Sequence, residues 1–269
     1  MLLNCFITLF IFFHQVKVCD FISEFRGKIQ QYIKHVDMAQ WQDEQFIICR
    51  DTFPLGTILS VVDFVENYTL QPQNEIQSQY YHTEQVSIMV HITYRHGLDN
   101  IEEKHVIVKE IHFYISDDRT HDIHYAQHCF NLFYDHVIAM DMPFYHHLIW
   151  SNGCVGQFKN AHVYLWLCSL HIKYKVPHIW NYFETVHGKG EHDGAGACIK
   201  TALRREEMKF IGAHLRDATS IVKWCASVMG EQATRKNLVQ RIFWEVTNVD
   251  KSQTHRVNIV HGTRQFHSM

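Results

Sequence analysis

The sequence has little to interrupt it: 4 Pro and 12 Gly in 269 residues, set against 46% hydrophobic residues. That balance suffices for one large α/β domain or two small ones, with a core well above the marginal size. An excess of positive charge is also missing. The 25 Lys and Arg face 28 Asp and Glu, a formal net charge of -3. This excludes a protein that coats nucleic acid through bulk charge and leaves room only for a local basic face. No C-x-x-C pair occurs, and the eight cysteines (Cys5, Cys19, Cys49, Cys129, Cys154, Cys168, Cys198, Cys225) are widely spread. That spacing excludes a zinc finger and, in a chain this long, reads as reduced, mostly buried thiols. The 22 His are scattered. His124 and His128 stand at i, i+4 on an expected helix, with no third ligand nearby.

The N-terminal stretch "MLLNCFITLFIFF" lacks a basic n-region, and "HQVKVCD" offers no small-x-small cleavage site. It is long enough for a signal-peptide core and too short for a typical membrane span. A buried first element, or a start inside a longer frame, is the expected reading. Secretion is the alternative, to which the sequon Asn67-Tyr68-Thr69 adds a second sign. No membrane partner is expected.

Phe25, Ile29, Tyr32 and Ile33 recur at helical spacing, which predicts one helix or a pair of helices over 20–53. After the break at Pro54 and Gly56, the β-branched run Ile58 to Val62 predicts a buried strand with Asp63 at its end. "EQVSIMVHITYRH" and "HVIVKEIHFYISDD" predict two more strands. An amphipathic helix comes next over 121–140, then the strand "HHLIWSN", a helix over 157–174, the strand "VPHIWNYFE" and a helix entered through "HGKGEHDGAGACIK". One further helix near "RDATSIVKWCASVM" and the strand "QRIFWEV" complete the pattern. The expected organisation is an apolar leader over 1–19, a helical segment over 20–53, a core over 54–210 and a helix–strand extension over 211–269. Three strands in an antiparallel meander, then strands joined by helical crossovers, is the order of the ribonuclease H-like α/β fold, with helices flanking a mixed sheet. Fold alone does not give function.

In that architecture the first and fourth strands are neighbours, and a carboxylate at the end of each points into one cleft. A third comes from the last helix. Two hard divalent cations held by such oxygens act on a phosphodiester: one activates the attacking water or 3′-hydroxyl, the other stabilises the leaving oxygen. The sequence offers Asp63 on the first strand and Glu191 or Asp193 at the helix start. On the fourth strand, "IWSNGCVGQFKN" puts Asn152 where the middle carboxylate is expected. Asn-Gly is ordinarily a hairpin signal, but the next segment, "HVYLWLCSLHIKY", is helical in period and offers no second hairpin strand.

The motifs "DFVENYTL", "HFYISDDRTHD", "WSNGCVGQFKN" and "IWNYFETVHGKGEHDGAGACIKTALRREEM" occur in order. From about Asp20 to the C-terminus the chain resembles a group of transposon-derived eukaryotic proteins marked by S-D-G-C/A-x-x-Q-F/Y-K and H-G-K-x-x-x-D-G-x-G-x-x-x-K. The resemblance implies a DDE/D-type transposase catalytic domain that cleaves and joins DNA strands with Mg²⁺ or Mn²⁺. It makes Asp63 the first acidic position, Asp193 the third, and Asn152 a replacement for the usual Asp. Nuclear localisation, DNA as partner and a possible homo-oligomer come from the same source. So does a truncated C-terminus, since the chain stops at "GTRQFHSM". With an amide for the middle carboxylate, the expectation is a catalytically degenerate core. A domesticated or relic domain that binds DNA or protein is the alternative.

"HGKGEHDGAGACIK" lacks the order of a phosphate-cradling Walker loop. Its glycines instead permit close packing and let backbone amides approach a DNA phosphate. Lys189, Lys200, Arg204 and Arg205 extend this into a candidate basic strip, joined by Gln157 and Lys159. A solvated helix face is the plainer reading of the two arginines. Glu66 reads as a surface residue, Asp118 or Thr120 as the cap of the helix over 121–140, and Trp150, Trp166, Trp180 and Trp224 as core.

Overall fold

The computed structural model describes residues 18–71, 84–99, 104–184, 190–209, 211–230 and 239–252. A helix α1 (Val18–Thr52) leads into strands β1 (Thr57–Thr69), β2 (Gln85–Asp99) and β3 (Lys104–Ser116). Helix α2 (Ile123–Ala139), β4 (His146–Asn152), α3 (Ala161–Tyr174), β5 (His178–Phe183) and α4 (Glu191–Glu207) come next, then α5 (Ala218–Val228) and β6 (Val239–Glu245). The six strands form one sheet in the order β5-β4-β1-β2-β3-β6. β1, β2 and β3 pair antiparallel, β4 and β5 run parallel to β1 on one side, and β6 runs parallel to β3 on the other. This is the ribonuclease H-like arrangement that the order of hydrophobic runs predicts, with β6 extending the sheet beyond β3.

The sheet is covered on both faces, which is why β1 reads as a continuous apolar run rather than an alternating one. Leu59, Val61, Trp150 and Phe183 face a core shared with Ile199 and Leu203 of α4 and Ile221 and Cys225 of α5. Ile58, Val62, Ile149 and Tyr182 face the other core, with Phe130 and Phe133 of α2 and Val163 and Leu170 of α3. The segment over 20–53 is one helix. Of its apolar repeat, Phe25, Tyr32 and Ile33 are exposed, and α1 buries only Ala39 and Gln42.

Two helix starts differ from expectation for the same reason: a side-chain cap further along competes better. The cap of α2 is Asp122, which accepts from the Tyr125 N–H. Asp118 instead accepts from the Thr120 N–H and hydroxyl and pairs with Lys251 at 2.5 Å. The helix expected from Gln157 begins only at Ala161. There Asn160 accepts from the N–H groups of His162 and Val163, while the Cys154 carbonyl gathers the N–H groups of Gln157, Phe158 and Lys159 into a turn. Trp150 and Trp180 are core residues, whereas Trp166 and Trp224 are half-buried at its edge.

Among the described residues the cysteines are free thiols. Cys129 and Cys225 are buried, but Cys19, Cys154, Cys168 and Cys198 are exposed, so the expectation of mostly buried thiols fails. Most of the apolar leader lies outside the described residues. Among those described, no helix is long and apolar enough to cross a membrane. The Asn67 side chain accepts from His121 Nε2 at 2.6 Å and donates to the Arg119 carbonyl at 3.3 Å. A glycan on that amide would disturb both bonds.

A polar chain crosses the second core. His91 Nε2, Ser60 Oγ and His147 Nε2 are linked at 2.8 and 2.7 Å, and His147 Nδ1 meets the Tyr134 hydroxyl at 2.9 Å. All four side chains are fully buried. Ser60 carries one proton for two imidazoles, so at least one histidine must donate to it, and the hydroxyl proton is used only if the other accepts. His91 Nδ1 has no hydrogen-bond partner. An orphaned acceptor costs less than an orphaned N–H, so His91 donates from Nε2 and Ser60 donates on to His147. Burial holds both imidazoles well below their usual pKa, in the neutral form that this chain of bonds needs. Ser60→Ala leaves the two facing nitrogens unsatisfied and should cost about 1–3 kcal/mol in urea unfolding at neutral pH. A loss near zero would mean that the two rings re-pair without the hydroxyl.

Candidate metal centre at the junction of β1 and β4

The parallel register of β1 and β4 runs from Thr57↔His146 to Val62↔Ser151 and stops there. Asp63 and Asn152 are the next residue on each strand, so they stand side by side where the pairing ends. Asp63 does not end its own strand, as the sequence predicts; β1 continues beside β2 to Thr69. It ends only the part of the strand that β4 accompanies. Side chains alternate along a strand, so Asp63 points the same way as Val61 and Asn152 the same way as Trp150, into the face covered by α4.

Asp63 Oδ1 accepts from its neighbour's N–H on Phe64 at 2.8 Å and from Asn152 Nδ2 at 2.5 Å. The amide's orientation is fixed by its other end. Asn152 Oδ1 accepts from the Cys154 N–H at 3.0 Å, and only an oxygen can do so. The third segment is the first turn of α4. Asp193 closes that helix start by accepting from the Gly190 N–H at 3.0 Å. His192 Nε2 stands 3.6 Å from Asp63 Oδ2 and 3.6 Å from Asp193 Oδ2, on a side chain only 5% exposed. Ligand atoms of Asp63, His192 and Asp193 all lie within 4.8 Å of one another, the one such group of three among the described residues.

A glycine sets how near α4 comes. A Cβ on Gly196 would lie 2.6 Å from Val65 Cγ2. Val65 is two residues past Asp63 on the same face, so the missing side chain lets the helix settle on β1 just where Asp193 must reach Asp63.

Electrostatics derive from this crowding. Burial pushes the Asp63 carboxyl up to about 7; the Phe64 N–H pulls it down, and the nearby Asp193 carboxylate pushes it further up. Glu191, the other candidate third acid, is engaged elsewhere: its carboxylate pairs with Lys109 and lies 3.6 Å from Arg50. Sequence reading did not single out His192. One of 22 scattered histidines carries no signal.

Of the residues expected to contact nucleic acid, those described lie in the turn before α3 and along α4. Lys159 is 8% exposed and lies over the Tyr182 ring at 5.3 Å, so it does not offer an exposed cation to a phosphate. Gln157 is half-buried in the turn before α3. Lys189 lies outside the described residues. Lys200 is half-buried and Arg205 exposed on α4. Arg204 sits 3.5 Å from Glu207, whose carboxylate also accepts from the Tyr68 hydroxyl at 2.6 Å. Asp117 accepts from the Ala218 N–H at the start of α5, and Glu66 is exposed. Among the described residues the His124–His128 pair acquires no third ligand; His124 packs against His162.

The chain belongs to the DUF8701 family, a domain of unknown function, whose model matches residues 42–269. No curated protein and no solved structure matches the chain. The matched span takes in every residue of the centre, and its start at residue 42 falls inside α1, near where that helix first buries side chains against the sheet.

Two outcomes test this geometry. Asp63 has an ordinary value of 3.8 and a folded value of about 7, so between these limits the folded chain binds the extra proton. Its contribution to stability therefore falls as pH rises from about 4 to about 7. Asp63→Asn keeps an acceptor for both donors and removes the charge, so its stability should gain on the wild type across that window, by at most about 4 kcal/mol. Parallel stability–pH curves would show that Asp63 is already solvated or neutralised. Gly196→Ala should destabilise by about 1–3 kcal/mol through overpacking against Val65; an unchanged melting temperature would mean that α4 sits further from β1.

Proposed function

We propose that the chain is a transposase-derived catalytic core of ribonuclease H-like fold, whose parent chemistry is metal-dependent cleavage and joining of DNA strands and whose centre is degenerate at residue 152. The observation that carries this reading is the meeting of Asp63, Asn152 and Asp193, from β1, β4 and the first turn of α4, at one place. The donor set fits a divalent ion in part. Asp63 and Asp193 are carboxylates close enough to share one, and Mg²⁺ or Mn²⁺ bound there would stabilise negative charge developing at a phosphodiester. Position 152 fits poorly. Its oxygen accepts from the Cys154 N–H, and it turns an NH₂ group toward Asp63.

That last detail favours the second reading, a domesticated or relic domain that binds DNA or a protein partner without cutting. With Asp at 152, two carboxylate oxygens would face each other across the distance now spanned by a hydrogen bond, which calls for a cation between them. With Asn the strands close on each other unaided. Nuclear localisation, transposon-end or target DNA as partner, and a homo-oligomer belong to the same proposal.

Asn152→Asp is the decisive variant. It should lower thermal stability in chelator, recover it with Mn²⁺, and raise divalent-dependent cleavage of a labelled duplex by roughly a thousandfold over wild type, as for restoring an essential catalytic group. Adding Asp63→Ala should abolish that gain. Wild-type cleavage equal to the variant's, and lost with Asp63→Ala, would overturn the degenerate reading. No cleavage by any variant, together with no DNA binding, would remove the transposase reading altogether.

A further inference from the structure

We infer that Asp63, His192 and Asp193 form a one-ion centre for a borderline transition metal such as Mn²⁺, Co²⁺ or Zn²⁺, with Asn152 orienting Asp63 instead of ligating. The inference rests on the proposed reading only for the location of the centre; it exchanges residue 152 for residue 192 in the ligand set.

The spacing argues first. His192 Nε2 lies 3.6 Å from one oxygen of each aspartate. A charge-assisted hydrogen bond would be about 2.7–2.9 Å. Two ligand atoms each about 2.1 Å from a shared tetrahedral ion stand about 3.4 Å apart, which the observed separations approach on both sides of the ring.

The ring is also held where a ligand must be held. It is buried at the first turn of α4, and a Cβ on Gly190 would press within 3.3 Å of its Cε1 and Nδ1, so the backbone there packs directly on the imidazole. Asp63 is aimed by donors on its other oxygen, as metal-binding carboxylates are. Phe64 N–H and Asn152 Nδ2 both take Asp63 Oδ1, which turns Oδ2 toward His192, while in Asp193 the oxygen that faces His192, Oδ2, is itself fixed by the Gly190 N–H. Asn152 shows the centre its NH₂ group, and an amide nitrogen that donates does not ligate. Asp193 is 53% exposed, leaving an open side through which an ion enters and water completes its shell. One nitrogen among the donors shifts preference away from Mg²⁺, which demands oxygen and near-octahedral geometry.

The test uses the full chain, stripped with chelator and titrated with Co²⁺. One equivalent should bind with visible d–d bands; Zn²⁺ should displace it and excess Mg²⁺ should not. Mn²⁺ bound to the wild type should show spin-echo modulation from an imidazole nitrogen, a readout that needs no variant. His192→Gln should lose roughly 100-fold or more in Co²⁺ affinity, beyond the 10–100-fold typical of groups behind the ligands. Asn152→Ala should weaken binding while keeping the bands and the stoichiometry. Absence of nitrogen modulation, displacement of Co²⁺ by Mg²⁺, or affinity untouched by His192→Gln would overturn the inference. DNA cleavage by Asn152→Asp with any of those results would leave the transposase reading standing without it; nitrogen-ligated metal with no DNA binding would do the reverse.

Discussion

The parallel pairing of β4 with β1 is the constraint on which the site depends. Because the register ends at Val62↔Ser151, the next residue on each strand falls at the same level and faces the same helix. A slip of one residue would turn Asp63 or Asn152 to the opposite face, among Phe130 and Val163, since strand side chains alternate. The register is held by what those neighbours bury. Leu59, Val61 and Trp150 belong to one core, Ile58, Val62 and Ile149 to the other, and a slip of one residue would exchange the faces. Hydrophobic packing thus fixes the position of two polar groups to within a hydrogen bond.

Around those groups the molecule limits charge by placing neutral donors beside the acids. Asp63 is mostly buried, and the carboxylate of Asp193 is nearby, an arrangement that disfavours ionisation. A ribonuclease H-like centre with three carboxylates meets that cost with cations. Here an amide and an imidazole stand among the acids. The amide of Asn152 gives Asp63 a neutral donor, and His192 places a nitrogen between both aspartates. The amide lowers the electrostatic demand for an ion between the strands, whereas the imidazole puts a nitrogen donor beside both carboxylates.

Much of the architecture was legible in the sequence because apolar runs report burial directly. All six strands and the crossover helices lie where β-branched density and helical spacing put them. What escaped was information carried by partners. Asp63 looks like a strand end because the apolar run stops there, yet β2 carries β1 on to Thr69. The starts of α2 and α3 depend on which of several capping residues wins, and Asp122 and Asn160 won over Asp118, Thr120 and Gln157. Lys159 sits in a motif that invites a phosphate contact, but its position against Tyr182 is a tertiary fact. His192 was hidden by abundance: its place in the cluster comes only from being beside Asp193 on a helix that Gly196 allows to settle on Val65.

Gly196 and Asn152 pull in different directions on stability. A helix-interior glycine weakens α4 by about 1 kcal/mol relative to alanine, a cost carried so that Asp193 can approach Asp63. The amide at 152 acts the other way, since where a carboxylate would meet Asp63 as a like charge it donates a hydrogen bond and joins the strands without any ion. Gly196 thus keeps α4 close to β1 while Asn152 keeps the charge at the junction low. Strained, charge-rich sites generally trade stability for activity. Under the reading proposed above, that hydrogen bond is the physical counterpart of a lost carboxylate, and it holds the strand junction together with no ion between the strands.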